Sequence, residues 1–311
     1  MINERIMHYA NFNITYGEKS EPMLTHFEDI VWPAFCSEFK RSSKNNPPYF
    51  YFTNLKIKEI DGELVLVGNY IKETHYDVVT TVVDRELISS PSVGPTAPYS
   101  RFIIFLKNHR MILVRNESQS PDIRSFQSTV RYFLKKYIRE KNRTIERKEA
   151  RLPKAVVNIV DIPLSQDIDS VLSNVEKVQK LKMRFFPLNN DLNPGLVAQR
   201  IDSEMKSMNC SGASVQFTSP KSKMEVSKLI QESSGLAVST LEVIDSNGNK
   251  TKIREDQFTS SKKLPISTNI SEKDDDYIVY QAKQDQIVDK TSIDNLKIYN
   301  KFRSALEKLI H

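Results

Sequence analysis

Ten basic side chains crowd the stretch from Arg131 to Lys154: Arg131, Lys135, Lys136, Arg139, Lys141, Arg143, Arg147, Lys148, Arg151 and Lys154. Only Glu140, Glu146 and Glu149 oppose them, so the stretch carries +7 where the whole 311-residue chain carries +6. The basicity of this protein is local. Arginine and lysine at this density neutralise phosphates and release counterions, which gives sequence-independent, salt-sensitive binding to DNA or RNA. Tyr132 and Tyr137 interleave with them and can stack on bases, although Tyr137 lies on an apolar helix face. A solvated helix face followed by a linker accounts for the same charges. Six of the cations fall four apart, and each step of four turns a helix by a net 40° or so, which makes a slow spiral. The phosphate-binding reading therefore centres on the apolar-poor part, with Arg139, Lys141, Arg143, Arg147, Lys148 and Arg151 as its candidates.

A second group of residues suggests a different chemistry. Asp274-Asp275-Asp276 stands before Tyr277 to Ala282, a stretch that reads as a strand, and Lys283 follows Gln281 by two. Nucleases of the restriction-endonuclease type use an acid, then an acid or Gln, then x-Lys. Asp274 or Asp276 would hold Mg²⁺, Gln281 would take the second position, and Lys283 would steady charge on the phosphate or activate water. Three acids before a strand also make a solvated turn. Asp161 ends another strand and is a further carboxylate, with nothing in the sequence to link it. Mg²⁺ enters only under this alternative; otherwise no cofactor or metal is expected.

The remaining reactive side chains are scattered. None of the five histidines sits in a zinc-binding spacing. His109 reads as a polar hairpin tip. His75 and Asp77 share one strand face and form a candidate acid–base pair, which exposed alternation explains equally well. Cys36 and Cys210 form no metal or redox motif and read as buried thiols in a reducing cytoplasm. Eight glycines argue against a glycine-rich nucleotide-binding fold. No apolar run reaches the roughly 20 residues of a membrane helix, and the start has no apolar signal region, so a cytoplasmic protein that avoids membranes is expected.

These residues must be positioned by an α+β fold. Residues 1–118 read as a β-rich domain: a strand over Met7–Tyr16, a helical piece interrupted by Pro33, and strands either side of the Asp61-Gly62 turn. A loop over Ser89–Pro98 and a second hairpin through Lys107–Arg110 complete it. Residues 119–154 read as an amphipathic helix, capped by Ser120 and core-facing to about Ile138, followed by a basic connector. Residues 155–311 alternate strand and helix, beginning with a strand at Ala155 and a helix over Gln166–Gln179, which suggests a ferredoxin-like α/β sandwich. A polar loop over Lys262–Asp276 and a C-terminal helix from Ser292 close the chain.

Several stretches resemble a bacterial protein family carried on mobile elements and in phage-defence loci. They are MHYANFNI, FIIFLKNHRMILV, the run AVVNIVDIPLSQDIDSVLSNVEKVQKLKMRFFPLNND, and SGLAVSTLEVIDSNGNK. The family pattern often has a second Pro and Arg at the PLNND break, where Phe186 and Leu188 stand here. The resemblance carries over no catalytic residue. It implies a setting, with three readings: a non-catalytic nucleic-acid-binding component, the Mg²⁺-dependent nuclease above, or an adaptor whose basic helix meets an acidic partner from the same operon. A homo-oligomer is compatible with all three.

Overall fold

The computed structural model describes residues 4–42, 46–83, 85–162, 165–187, 196–233, 235–254, 262–266, 269–285 and 287–310. The chain opens with β1 (Glu4–Tyr16) and the short β2 (Glu21–Pro22). A 3₁₀ turn, a π turn and α1 (Trp32–Phe35) then take up the apolar residues around Pro33, which lies in the first turn of α1, where its missing N–H costs nothing. β3 (Tyr49–Ile60) and β4 (Glu63–Val83) flank the Asp61-Gly62 turn, where both residues have positive φ. β5 (Glu86–Thr96) occupies the stretch expected to be a loop. Among the described residues it pairs only with β4, and prolines are tolerated on such an edge because no outer strand needs their N–H.

β6 (Tyr99–Phe105) and β7 (Arg110–Arg115) make the second hairpin, and α2 (Ile123–Arg143) follows. Asp122, not Ser120, caps α2, accepting from the Ser125 N–H at 2.8 Å. Beyond it come β8 (Ala155–Asp161), α3 (Ser165–Ser173), β9 (Val175–Phe185) and α4 (Leu196–Ser207). The expected helix to Gln179 stops at Ser173, and Val175 and Val178 belong to β9. Next are β10 (Ala213–Thr218), α5 (Lys223–Glu232), β11 (Ala237–Asp245) and β12 (Lys250–Arg254). The chain ends with β13 (Lys262–Pro265), α6 (Asp275–Lys283) and α7 (Ile293–Glu307).

The fold is α+β, with mainly antiparallel pairing. A large sheet runs β13-β1-β7-β6-β4-β3, with β2 and β8 also on β1 and β5 also on β4. Both faces of its centre are covered. Phe102, Ile104, Met111 and Leu113 pack under α1, α2 and α7. Ile103, Phe105, Ile112 and Val114 face α6. Burial on both sides is why these strands read as unbroken apolar runs instead of alternating.

The small sheet runs β10-β9-β11-β12 and has helices on one face. These are the two layers expected of the C-terminal part, but two strands from that part of the chain join the large sheet. β8 pairs with β1, Phe12 opposite Ile159, and β13 pairs with the start of β1 where a polar loop was expected. The expected boundary at 154/155 is thus crossed by strand pairing. No helix among the described residues is long and apolar enough to cross a membrane.

Candidate nucleic-acid interface

α2 buries Ile123, Phe126, Val130, Phe133, Leu134 and Ile138 against the large sheet. Its opposite flank looks across β8 toward the small sheet. At 100° per residue, Arg124, Arg131, Lys135 and Arg139 fall within an arc of about 80°. All four line one wall of a cleft of about 1080 Å³. Arg143 lies about 40° further round and leaves the wall. The spiral that weakened the spacing of four over six residues still keeps three of them together.

The opposite wall comes from the small sheet. In β9 the apolar residues Leu181, Met183 and Phe185 turn to the helices, so Lys182 and Arg184 turn outward. Across the sheet, Thr240 sits opposite both Lys182 and Arg254. Arg184, Phe186, Thr240 and Arg254 line the cleft. The Arg184 guanidinium lies over the Phe186 ring, 5.2 Å from its centroid. β8 and Lys154 line the remaining side, and Arg131 donates to the Val157 carbonyl at 3.0 Å. Asp161 is the only carboxylate among the described residues that line the cleft.

The candidates from the basic run are divided by this geometry. Arg139 lines the cleft; Lys141, Arg143, Arg147 and Arg151 are exposed outside it. The Lys148 side chain lies outside the described part. The helix continues to Arg143, and the connector after it is tied down. Asn142 donates to the Leu152 carbonyl at 2.9 Å and accepts from the Leu152 N–H at 2.7 Å. Neither Tyr132 nor Tyr137 lines the cleft; Tyr137 packs on the core, and Lys141 sits over its ring. The sequence reading passed over Arg131 and Lys135 in favour of the connector, and it missed Arg124, Arg184, Arg254 and Phe186. The outward alternation of Lys180, Lys182 and Arg184 was the signal that could have found the second wall.

Of the other candidate residues, Asp274 and Lys283 make structural contacts with their side chains. Tyr277 to Ala282 is helix, not strand, which separates Asp274 from Lys283 by about 13 Å along the axis. Asp274 accepts from the Ser271 N–H at 2.7 Å in a capping box, and Asp276 is exposed. The Gln281 carbonyl accepts from Lys262 at 2.9 Å, and Lys283 pairs with Asp61. No group of three or more His, Cys, Asp or Glu side chains among the described residues is placed to hold a metal.

The remaining candidates are likewise placed by the fold. The Asn108-His109-Arg110 tip is buried, not exposed: Asn108 donates to the Lys290 carbonyl and the His109 carbonyl accepts from the Phe12 N–H at 2.7 Å. His75 is exposed on β4, and the Asp77 side chain lies outside the described part. Cys36 is exposed at the end of α1 and Cys210 half-buried, so neither is the fully buried thiol expected.

No curated protein and no solved structure matches the chain. One family model, described as "Domain of unknown function (DUF4747)", matches residues 5–283, a span that includes both walls of the cleft and ends on the last residue of α6. The chain therefore belongs to the DUF4747 family.

Proposed function

We propose that the protein is a non-catalytic nucleic-acid-binding component that holds phosphates in the cleft between α2 and the small sheet. The observation that carries this reading is the arc of Arg124, Arg131, Lys135 and Arg139 facing Arg184 and Arg254. The volume, about 1080 Å³, stands at the upper limit of small-molecule pockets and suits a stretch of polymer. A bacterial anti-phage or mobile-element setting is proposed on the resemblance of the stretches quoted above alone.

Fluorescence anisotropy with labelled oligonucleotides tests the binding. Four neutralised phosphates predict an affinity loss of about 50-fold or more between 50 and 200 mM salt. Alanine at Arg131, Lys135 and Arg139 together should weaken binding more than tenfold. Alanine at Arg143, Arg147 and Arg151 should change it by less than about threefold. The reverse ranking would move the site from the cleft to the connector and overturn the proposal.

A further inference from the structure

We propose that the cleft takes single-stranded nucleic acid and stacks one base on the Phe186–Arg184 pair, an inference that rests on the cleft being the binding site. Three features lead to it. First, the lining is concave between a helix and a sheet face, whereas duplex readers project a helix or ribbon into a groove. Second, Phe186 is the only aromatic residue among the described residues that line the cleft, and it is half-buried. Aromatic rings and arginine planes are the two surfaces on which unpaired bases stack, and here one lies over the other at 5.2 Å. Third, β8 is hydrogen-bonded on one side only, to β1, among the described residues. Its outer edge belongs to the cleft lining; Arg131 takes the Val157 carbonyl, and the rest of that edge faces the cleft, where unpaired bases present their own exposed edges.

The cation spacing agrees with a strand drawn along α2. Arg131, Lys135 and Arg139 are about 6 Å apart along the axis, one charge per turn. A strand lying along them would place its phosphates on the helix wall and turn its bases toward β8 and Phe186. The shared chemistry is a single strand, and RNA and DNA are separate arms of the test.

The experiment uses the full chain with a labelled 12-nucleotide RNA strand, the DNA strand of the same sequence, and the DNA duplex. At least one strand should bind tenfold or more tighter than the duplex. Phe186→Ala should weaken strand binding about 5- to 160-fold, the range expected for one lost base stack. Phe186→Leu keeps apolar volume and should weaken it similarly, while Phe186→Tyr restores it. The salt slope should stay unchanged in all three, because no phosphate contact is removed. Circular dichroism of each variant separates lost stacking from lost fold. Equal strand and duplex affinity, or wild-type affinity in folded Phe186→Leu, overturns the single-strand inference and leaves cleft binding standing. Failure of both strand and duplex to bind overturns both readings.

Discussion

Arg101 and Asp275 meet through two parallel hydrogen bonds, Nε to Oδ1 at 2.8 Å and a terminal nitrogen to Oδ2 at 2.7 Å, with both side chains out of contact with water. Lys58 adds a second cation to the same carboxylate at 2.6 Å, and Arg101 also donates to Asn69. Asp275 stands in the first turn of α6, where a negative charge also suits the helix dipole. The middle acid of an acidic run that reads as metal-binding is therefore a bolt between α6 and the sheet. Removing one partner strands a buried charge, so Asp275→Ala should cost about 3–5 kcal/mol in urea unfolding. Arg101→Met together with Asp275→Leu should recover most of that. A single-variant loss below about 1 kcal/mol would show that water reaches Arg101.

His8 predicts an acid-sensitive fold. Burial, and then the nearby Arg115, push its pKa down to about 4, with Asp122 pulling the other way. An unfolded chain takes up this proton near pH 6.5. Between pH 6.5 and about 4 the unfolded state therefore holds more protons than the folded one, and stability falls as pH falls through that window. The contribution is on the order of 2–3 kcal/mol over the window. His8→Gln removes it without touching the carboxylates. Urea midpoints of both proteins at pH 7 and pH 4.5 should show a smaller drop for the variant, and equal drops would refute the assignment.

How far the sequence could be read depended on whether the information was local. The Asp61-Gly62 turn, the two hairpins and the apolar face of α2 are encoded within a few residues, and each was legible. The β-branched and aromatic residues of YIVYQA favour a strand in isolation. The structure settles on helix because Ser271 and Asp274 form a capping box and Ile278, Val279 and Ala282 share one buried face. The run from Ala155 read correctly as a strand, but a strand's own residues are silent about which sheet it joins. Of the α2 wall only Arg139 was among the candidates, because the slow spiral of the four-residue spacing pointed away from Arg131 and Lys135, although three successive steps still share one arc. The other wall, Arg184 and Arg254, comes from strands that only tertiary pairing brings opposite.

The asparagines of β1 carry the joint between the two sheets. Asn11 donates to the Gly235 carbonyl and Asn13 to the Pro187 carbonyl, each at 2.9 Å and buried. Pro187 directly follows Phe186, so this joint also sets the cleft's second wall. Asn13→Ala should cost about 1–3 kcal/mol by leaving a buried carbonyl without its donor. Gly235 has φ +76, and an added Cβ would lie 3.0 Å from the Asn11 Cβ and 3.2 Å from the Arg110 guanidinium. Gly235→Ala is therefore strained twice, by backbone and by contact, and should lose at least as much. Thermal melts should show both losses, and proteolysis should cut between the units sooner in either variant. Unchanged melts would mean that other contacts hold the sheets together.

Two arginines 53 positions apart should behave as one site. Arg131 on α2 and Arg184 on β9 line opposite walls of the same cleft. If a phosphate chain passes between them, reversing either charge opposes the same ligand. Arg131→Glu and Arg184→Glu should each weaken oligonucleotide binding by tenfold or more, and each should flatten the salt dependence by about one contact. Reversal at Arg143, which α2 carries outside the arc, is the matched control and should leave the slope unchanged. A double-mutant cycle then asks whether the walls act together: a strand already driven off one wall has less to lose at the other, so the combined loss should fall short of the sum. Strict additivity, or an Arg184→Glu variant that binds like wild type, would mean that α2 binds its ligand without the small sheet.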